Sequence, residues 1–255
     1  ASSGSDLNGK AAERAAITLK DRLIKFASKH FTVPQEFISF GYSGILIGNK
    51  LLSFSELVSL AYKERVQLSA LGFYKTPNIY WDRAKGKGEP FYYFSYGAAV
   101  SEVSLDTLTG EYILNRTDIL HDVGQTLNES IDIGQIEGGF IQGVGWLTSE
   151  ELFWDDRGKL KTHAPSTYKI PLASDTPETL NISLLQNSPN PRPTVKRSKA
   201  VGEPPFMLSI SVFEALSMAV SSVIDYSTCP NLSAPATPEN LLLTIEKLTS
   251  KNITT

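Results

Sequence analysis

Apolar positions recur at helical spacing from about Asp6 to Lys29, where Leu7, Ala11, Ala15, Leu19, Leu23, Phe26 and Ala27 form one stripe. Ser5 or Asp6 can cap this helix. The pattern then changes to alternation between Phe37 and Leu52, with Gly48-Asn49 as the turn of a hairpin. Ser53-Phe54-Ser55-Glu56 reads as a capping box that opens a second helix running to about Arg65. Residues 66–92 are expected to hold a strand, then a loop from Lys75 to Pro90 rich in Gly, Lys, Pro and aromatic residues.

Two long alternating segments between Tyr93 and Leu120 flank Asp106-Thr107-Leu108-Thr109-Gly110, the pattern of a second hairpin. Ile131 to Thr148 is helical in period yet holds Gly134, Gly138, Gly139, Gly143 and Gly145. Each glycine costs a helix up to ~1 kcal/mol against alanine, so another backbone or a ligand is expected to approach closely. A strand pair turning at Asp156-Arg157-Gly158 follows, then an extended 164–171 loop and a strand near Leu180 to Gln186. Pro205 to Asp225 reads as a buried apolar helix, and Thr237-Pro238-Glu239 opens a last one to about Leu248. Helices and antiparallel strand pairs mixed without regular βαβ alternation predict an α+β fold. Two sub-lobes are expected, approximately 1–130 and 131–255.

Composition narrows the function classes. A net charge of −3 over 255 residues gives no basic surface for nucleic acid or an anionic membrane. No apolar run reads as approaching the ~20 residues that span a bilayer. Cys229 is the single cysteine, so an internal disulfide and a zinc–thiolate cluster are excluded, and a reducing cytoplasm is the expected compartment. The chain starts at Ala1 without a methionine or a signal-peptide pattern.

The chemistry concentrates in Lys199-Ala200-Val201-Gly202-Glu203-Pro204-Pro205-Phe206. The prolines remove two backbone donors and hold the chain before them extended, so Glu203 stands at a rigid loop-to-helix junction among apolar neighbours. A fixed, poorly solvated carboxylate suits a general base; it would equally favour a helix N-terminus through the dipole. Gln135, near the start of the glycine-rich helix, could grip an anion or stand as a surface glutamine. His30, His121 and His163 follow no ligand spacing. Asp118 and Asp122 flank Ile119-Leu120-His121 and could form a carboxylate pair or simply accept backbone donors.

Ser198 to Pro205 resembles the active-site signature of the molybdenum hydroxylases, and within them the bacterial-type xanthine dehydrogenases. Gly72-Phe73-Tyr74-Lys75-Thr76-Pro77, Asp118 to Gly124, Asp132 to Gly139 and Pro165 to Pro171 resemble that family in the same order, and the likeness runs from about Ser2 to the end. The resemblance implies the C-terminal portion of a molybdopterin-binding domain, with Glu203 as the catalytic base. Gln135 and Gly202 would contact the cofactor, with the backbone of Ala1 and Ser2, Ala1 lying near the metal. It also implies a molybdenum–molybdopterin cofactor shared with upstream sequence, FAD and [2Fe-2S] carriers on other chains or domains, and a purine substrate. The partners would be the upstream part of the molybdenum subunit and an FAD/iron–sulfur subunit, in a hetero-oligomer. Aldehydes or other N-heterocycles are the alternative substrates, and a non-catalytic assembly domain the alternative role.

Overall fold

The structure, a computed structural model, describes residues 4–252. It divides into two compact units that meet in the chain at Tyr92 and Tyr93. The expected division near residue 130 does not hold. The hairpin before it pairs with a strand after it, so both belong to one sheet.

In the first unit, α1 (Gly9–Phe31) turns Leu23 and Ala27 inward. A meander of β1 (Ile38–Gly41), β2 (Gly44–Ile47) and β3 (Lys50–Leu52) is antiparallel throughout. Gly48-Asn49 turns β2 into β3, and a second turn at residues 42–43 makes three strands where a hairpin was expected. Alternation sets the faces: Ile45 and Ile47 are buried on either side of an exposed Leu46. The capping box on α2 (Phe54–Lys63) is present, with Ser53 N donating to Glu56 Oε2 at 2.8 Å and Glu56 N to Ser53 Oγ at 3.2 Å. Leu57 and Ala61 of α2 complete the core with Leu23, Ala27, Ile38 and the strand residues.

Residues 66–79 form no strand; they run along α1, where Arg22 Nη1 donates to the carbonyls of Gln67 (2.6 Å) and Ser69 (2.9 Å). A short hairpin, β4 (Tyr80–Asp82) with β5 (Lys87–Glu89), lies inside the expected loop. Gly72 is the closest approach. A Cβ there would collide with the Ala11 carbonyl and stand 2.8 Å from the Ala15 nitrogen.

In the second unit, β6 (Gly97–Leu105) and β7 (Tyr112–His121) pair antiparallel around the expected turn. The register shifts at Glu102/Val103, so Asn115 has no partner in the ladder and the buried set steps from Leu114 to Thr117. β8 (Thr179–Leu184) pairs with β7 in parallel, from Arg116↔Thr179 to His121↔Leu184. A parallel pair needs a crossover, and α3 (Glu129–Thr148) lies within it. The sheet is therefore mixed, not built only of antiparallel pairs. The strand pair expected around Asp156-Arg157-Gly158 is reduced to a single Trp154–Leu160 bridge, and Asp155 holds the turn by accepting the Lys159 amide at 2.9 Å.

A 3-10 turn (Pro204–Ser209) leads into α4 (Ile210–Ser222), and α5 (Pro238–Asn252) follows. Val212, Leu216 and Val220 of α4 are fully buried against Ile136 and Phe140 of α3, Ile119 and Leu241. Met207, Ile210 and Met218 are exposed, so the helix is half-buried rather than buried. Contrary to the sequence expectation, Pro204–Ser222 is long and apolar enough to cross a membrane by length and composition. A core helix passes the same test, and its inward face here packs on the sheet.

Gly72→Ala should destabilise the first unit by about 1–3 kcal/mol, because backbone on α1 cannot yield to a Cβ. Denaturant unfolding of the variant and wild-type chains checks this.

Candidate functional site

The end of β7 carries a buried polar cluster. His121, Asp122, Val123 and Gly124 are all buried. Asp122 N donates to the Tyr96 carbonyl (2.8 Å), and Gly124 N donates to Asp122 Oδ1 (2.9 Å). Gly124 has φ +65° and lies against the backbone of Arg197 and Lys199, a place with no room for a Cβ.

The segment before Glu203 is sewn to this cluster. Lys199 N donates to the Val123 carbonyl (2.8 Å) and Gln125 N to that of Arg197 (2.9 Å). Ser198 O accepts from Asn190 Nδ2 (3.0 Å) and Thr194 Oγ1 (2.6 Å). Ala200 N donates to Tyr93 Oη at 2.7 Å. Lys199 Nζ donates to Asp122 Oδ2, with side-chain exposures of 4% and 0%, and stands 5.2 Å from the centre of the Tyr96 ring.

Gly202 is half-buried and Glu203 exposed, at the entry of the 3-10 turn with Pro204 and Pro205 in its first positions. The expected poor solvation of Glu203 is not supplied by the described residues. Of the two prolines only Pro205 turns inward, and the carboxylate stands at the outer edge. The turn packs on α3 across two glycines. A Cβ on Gly139 would stand 3.1 Å from the Phe206 ring, and one on Gly143 would stand 2.6 Å from the Phe206 carbonyl. Phe206 also meets Trp146 edge-to-face at 4.9 Å.

Gln135 is exposed on α3, but the helix starts earlier than its apolar period suggested. Asn128 caps it by accepting the Ile131 amide (3.2 Å), so Gln135 lies nearly two turns in, beyond the unpaired amides of the N-terminus. It stands one turn before Gly139, which places it and Glu203 on two elements in direct contact. Gly134 and Gly138, expected to be points of close approach, would meet no atom within 4 Å through a Cβ. The close glycines are the next ones round the helix. Ala1 and Ser2 lie outside the described residues.

Asp118 and Asp122 are not a carboxylate pair. Asp118, at the surface, accepts from Arg116 (2.6 and 3.0 Å) and Asn181 (2.7 Å), and these partners lower its pKa; Asp122 serves Lys199. His30 and His163 are exposed, and among the described residues no group of three or more His, Cys, Asp or Glu could hold a metal. His121 is 2% exposed. Its Nδ1 lies 3.0 Å from the Tyr96 carbonyl, which can only accept, so Nδ1 carries the hydrogen. Its Nε2 is buried with no hydrogen-bond partner among the described residues. Burial lowers the His121 pKa below its ordinary value, opposed by the Tyr96 hydrogen bond.

Residues 1–177 match the sequence profile of a family described as the molybdopterin cofactor-binding domain. The chain belongs to that family. It is 47% identical over 211 residues to a xanthine dehydrogenase of Oryza sativa subsp. japonica, covering 78% of this chain and 15% of the relative. It is 43% identical over 247 residues to a xanthine dehydrogenase/oxidase of Mus musculus, covering 94% of this chain and 17% of the relative. The chain thus spans less than one fifth of these relatives. Both are eukaryotic, so they lend no support to the bacterial type expected from sequence. The fold is shared with quinoline 2-oxidoreductase from Pseudomonas putida 86, with a TM-score of 0.71, 23% identity, and cover of 92% of this chain and 29% of that one. The molybdopterin-domain setting agrees with the α+β architecture.

Two outcomes test the local geometry of this molybdopterin-domain site. Gly143→Ala should cost about 1–3 kcal/mol by overpacking the 3-10 turn, whereas Gly138→Ala, in open space, should gain about 0.5–1 kcal/mol from helix propensity. Thermal unfolding of both variants compares them.

The second concerns pH. With the folded-state pKa of His121 lowered, the unfolded chain takes up its proton first as pH falls. Its contribution is full above the unfolded value, about 6.5, and is lost as pH falls through the folded value. His121→Asn, which keeps a donor for Tyr96, should flatten the loss of stability below that pH in guanidinium titrations.

Proposed function

We propose that this chain supplies the general base and part of the cofactor wall of a molybdenum hydroxylase that oxidises purines, hypoxanthine to xanthine and xanthine to urate, with oxygen from water. The observation that carries this reading is the placement of Glu203. Its carboxylate is exposed, yet the backbone on both sides is held: Lys199 and Ala200 by hydrogen bonds, Pro205 and Phe206 by packing on α3. A catalytic base has to be reachable by substrate and carried on a held backbone, and Glu203 meets both conditions.

The residues present fit a molybdopterin. Gly134 and Gly138 leave the outer surface of α3 bare, and the Gln135 carboxamide between them can both donate and accept. Gln135 would hold the cofactor through that group, Gly202 would allow close backbone approach, and Ala1 and Ser2 would contribute backbone, Ala1 nearest the metal. When bound, the molybdenum centre supplies the two-electron oxidation of the substrate C–H bond. Glu203 accepts, at its carboxylate oxygen, the proton of the water-derived hydroxyl whose oxygen passes to the ring carbon.

The electrons leave through [2Fe-2S] clusters and FAD to NAD. One cysteine cannot ligate such a cluster, so these carriers sit on other domains or chains. The upstream part of the molybdenum subunit and the FAD/iron–sulfur part are then the partners, in a cytoplasmic hetero-oligomer. Identity of 43% and 47% to proteins named for xanthine favours a purine, while aldehydes or other N-heterocycles would use the same base.

Glu203→Gln in the complete enzyme should lower kcat by at least ~10²–10⁴-fold while molybdenum content stays normal. Steady-state xanthine oxidation, with metal analysis of the same preparation, reads both. Turnover within a few-fold of wild type would sink the assignment.

A further inference from the structure

We propose that the buried Lys199–Asp122 pair is the positioning element of the Glu203 loop, fixing where the carboxylate stands without touching substrate. The proposal rests on the reading of Glu203 as the base. Lys199 is bound twice to consecutive residues at the end of β7, its ammonium to Asp122 Oδ2 and its amide to the Val123 carbonyl at 2.8 Å. Asp122 is itself immobilised, because Oδ1 accepts the Gly124 amide at 2.9 Å and its own amide donates to Tyr96 at 2.8 Å. Between Lys199 and Glu203 stand only Ala200, Val201 and Gly202. Ala200 is tied to Tyr93 Oη, and Val201 packs on the core. The pair and these two contacts therefore hold the chain as far as Gly202, the residue before Glu203.

Stability alone does not explain this pair. Burying two charges costs as much as their attraction returns, and apolar replacements often stabilise. The attested use of such a pair is to select one register among several. An apolar contact would be less selective for the register of this segment against residues 123–125, whereas an ammonium must meet its carboxylate.

The test uses the complete enzyme with Lys199→Met and Asp122→Asn combined. The introduced carboxamide keeps an Oδ1 acceptor for Gly124, and methionine replaces most of the lysine stem. The expected result is near-normal molybdenum content, kcat per molybdenum lowered by on the order of 10²-fold with KM held, and faster hydrogen exchange at the backbone amides of positions 199 and 200. Wild-type kcat per molybdenum overturns the proposal, as does a lowered melting temperature with normal activity per molybdenum. If the double variant does not assemble, Asp122→Glu decides, since it keeps both charges and lengthens the link by one methylene. Positioning requires its kcat to fall with KM held, and an unchanged kcat overturns the idea. Glu203→Gln run in parallel separates the two claims. If it stays active, the assignment of the base fails; if it is inactive while the pair variants are normal, only the positioning claim fails.

Discussion

Two charges in a place without water constrain the second unit more than any other contact. Asp122 has no exposed side-chain surface and Lys199 almost none, so each is tolerable only because of the other. Removing one partner of such a pair costs on the order of 3–5 kcal/mol, since the survivor is left charged in a poor solvent. The end of β7 and the segment before Glu203, 77 residues apart in sequence, must therefore come together for this unit to fold as it does. The ladder of Gly124, Gln125, Arg197 and Lys199 then follows from backbone geometry, and Gly124 is required where the two strands of chain approach most closely.

The other side of the loop is governed by shape rather than charge. α3 gives up side chains at Gly139 and Gly143, and the 3-10 turn lies in the space, with Phe206 filling the gap against Trp146. Proline at the first two positions of the turn costs no hydrogen bond there, because those amides are unpaired in any helix. Charge on one flank and close packing on the other leave the backbone that carries the carboxylate little positional freedom. An exposed side chain on an immobile backbone is what results.

Much of this was legible in the sequence where the signal is local. The capping box at Ser53 and Glu56, the turn at Asp106 to Gly110, and the period of α3 each depend on residues a few positions apart. The parallel pairing of β8 was not legible, because alternation records which face a side chain takes and not the direction of the neighbouring strand. The division of the chain was misplaced for the same reason. The sequence marked Asp122 only as a possible partner of Asp118 and Lys199 only as the start of the Glu203 segment; nothing local links two residues 77 positions apart. Gly138 and Gly139 are adjacent and so lie about 100° apart on a helix of 3.6 residues per turn. Which of them meets a neighbour depends on a partner that period alone does not identify.

The exposure of Glu203 corrects the sequence reading in a way that bears on chemistry. Apolar neighbours in sequence suggested a carboxylate already shielded from water, but Val201 and Pro205 spend their apolar surface on the core and leave Glu203 facing outward. Shielding and positioning are thus separate tasks at this site. The chain's own fold performs the positioning, through the ion pair and the glycine-lined contact. Shielding is not supplied by the described residues. Such a division would suit the base proposed for this position, open to solvent before substrate arrives and covered once it has. A carboxylate permanently buried by Phe206 and Met207 would have met only the second need.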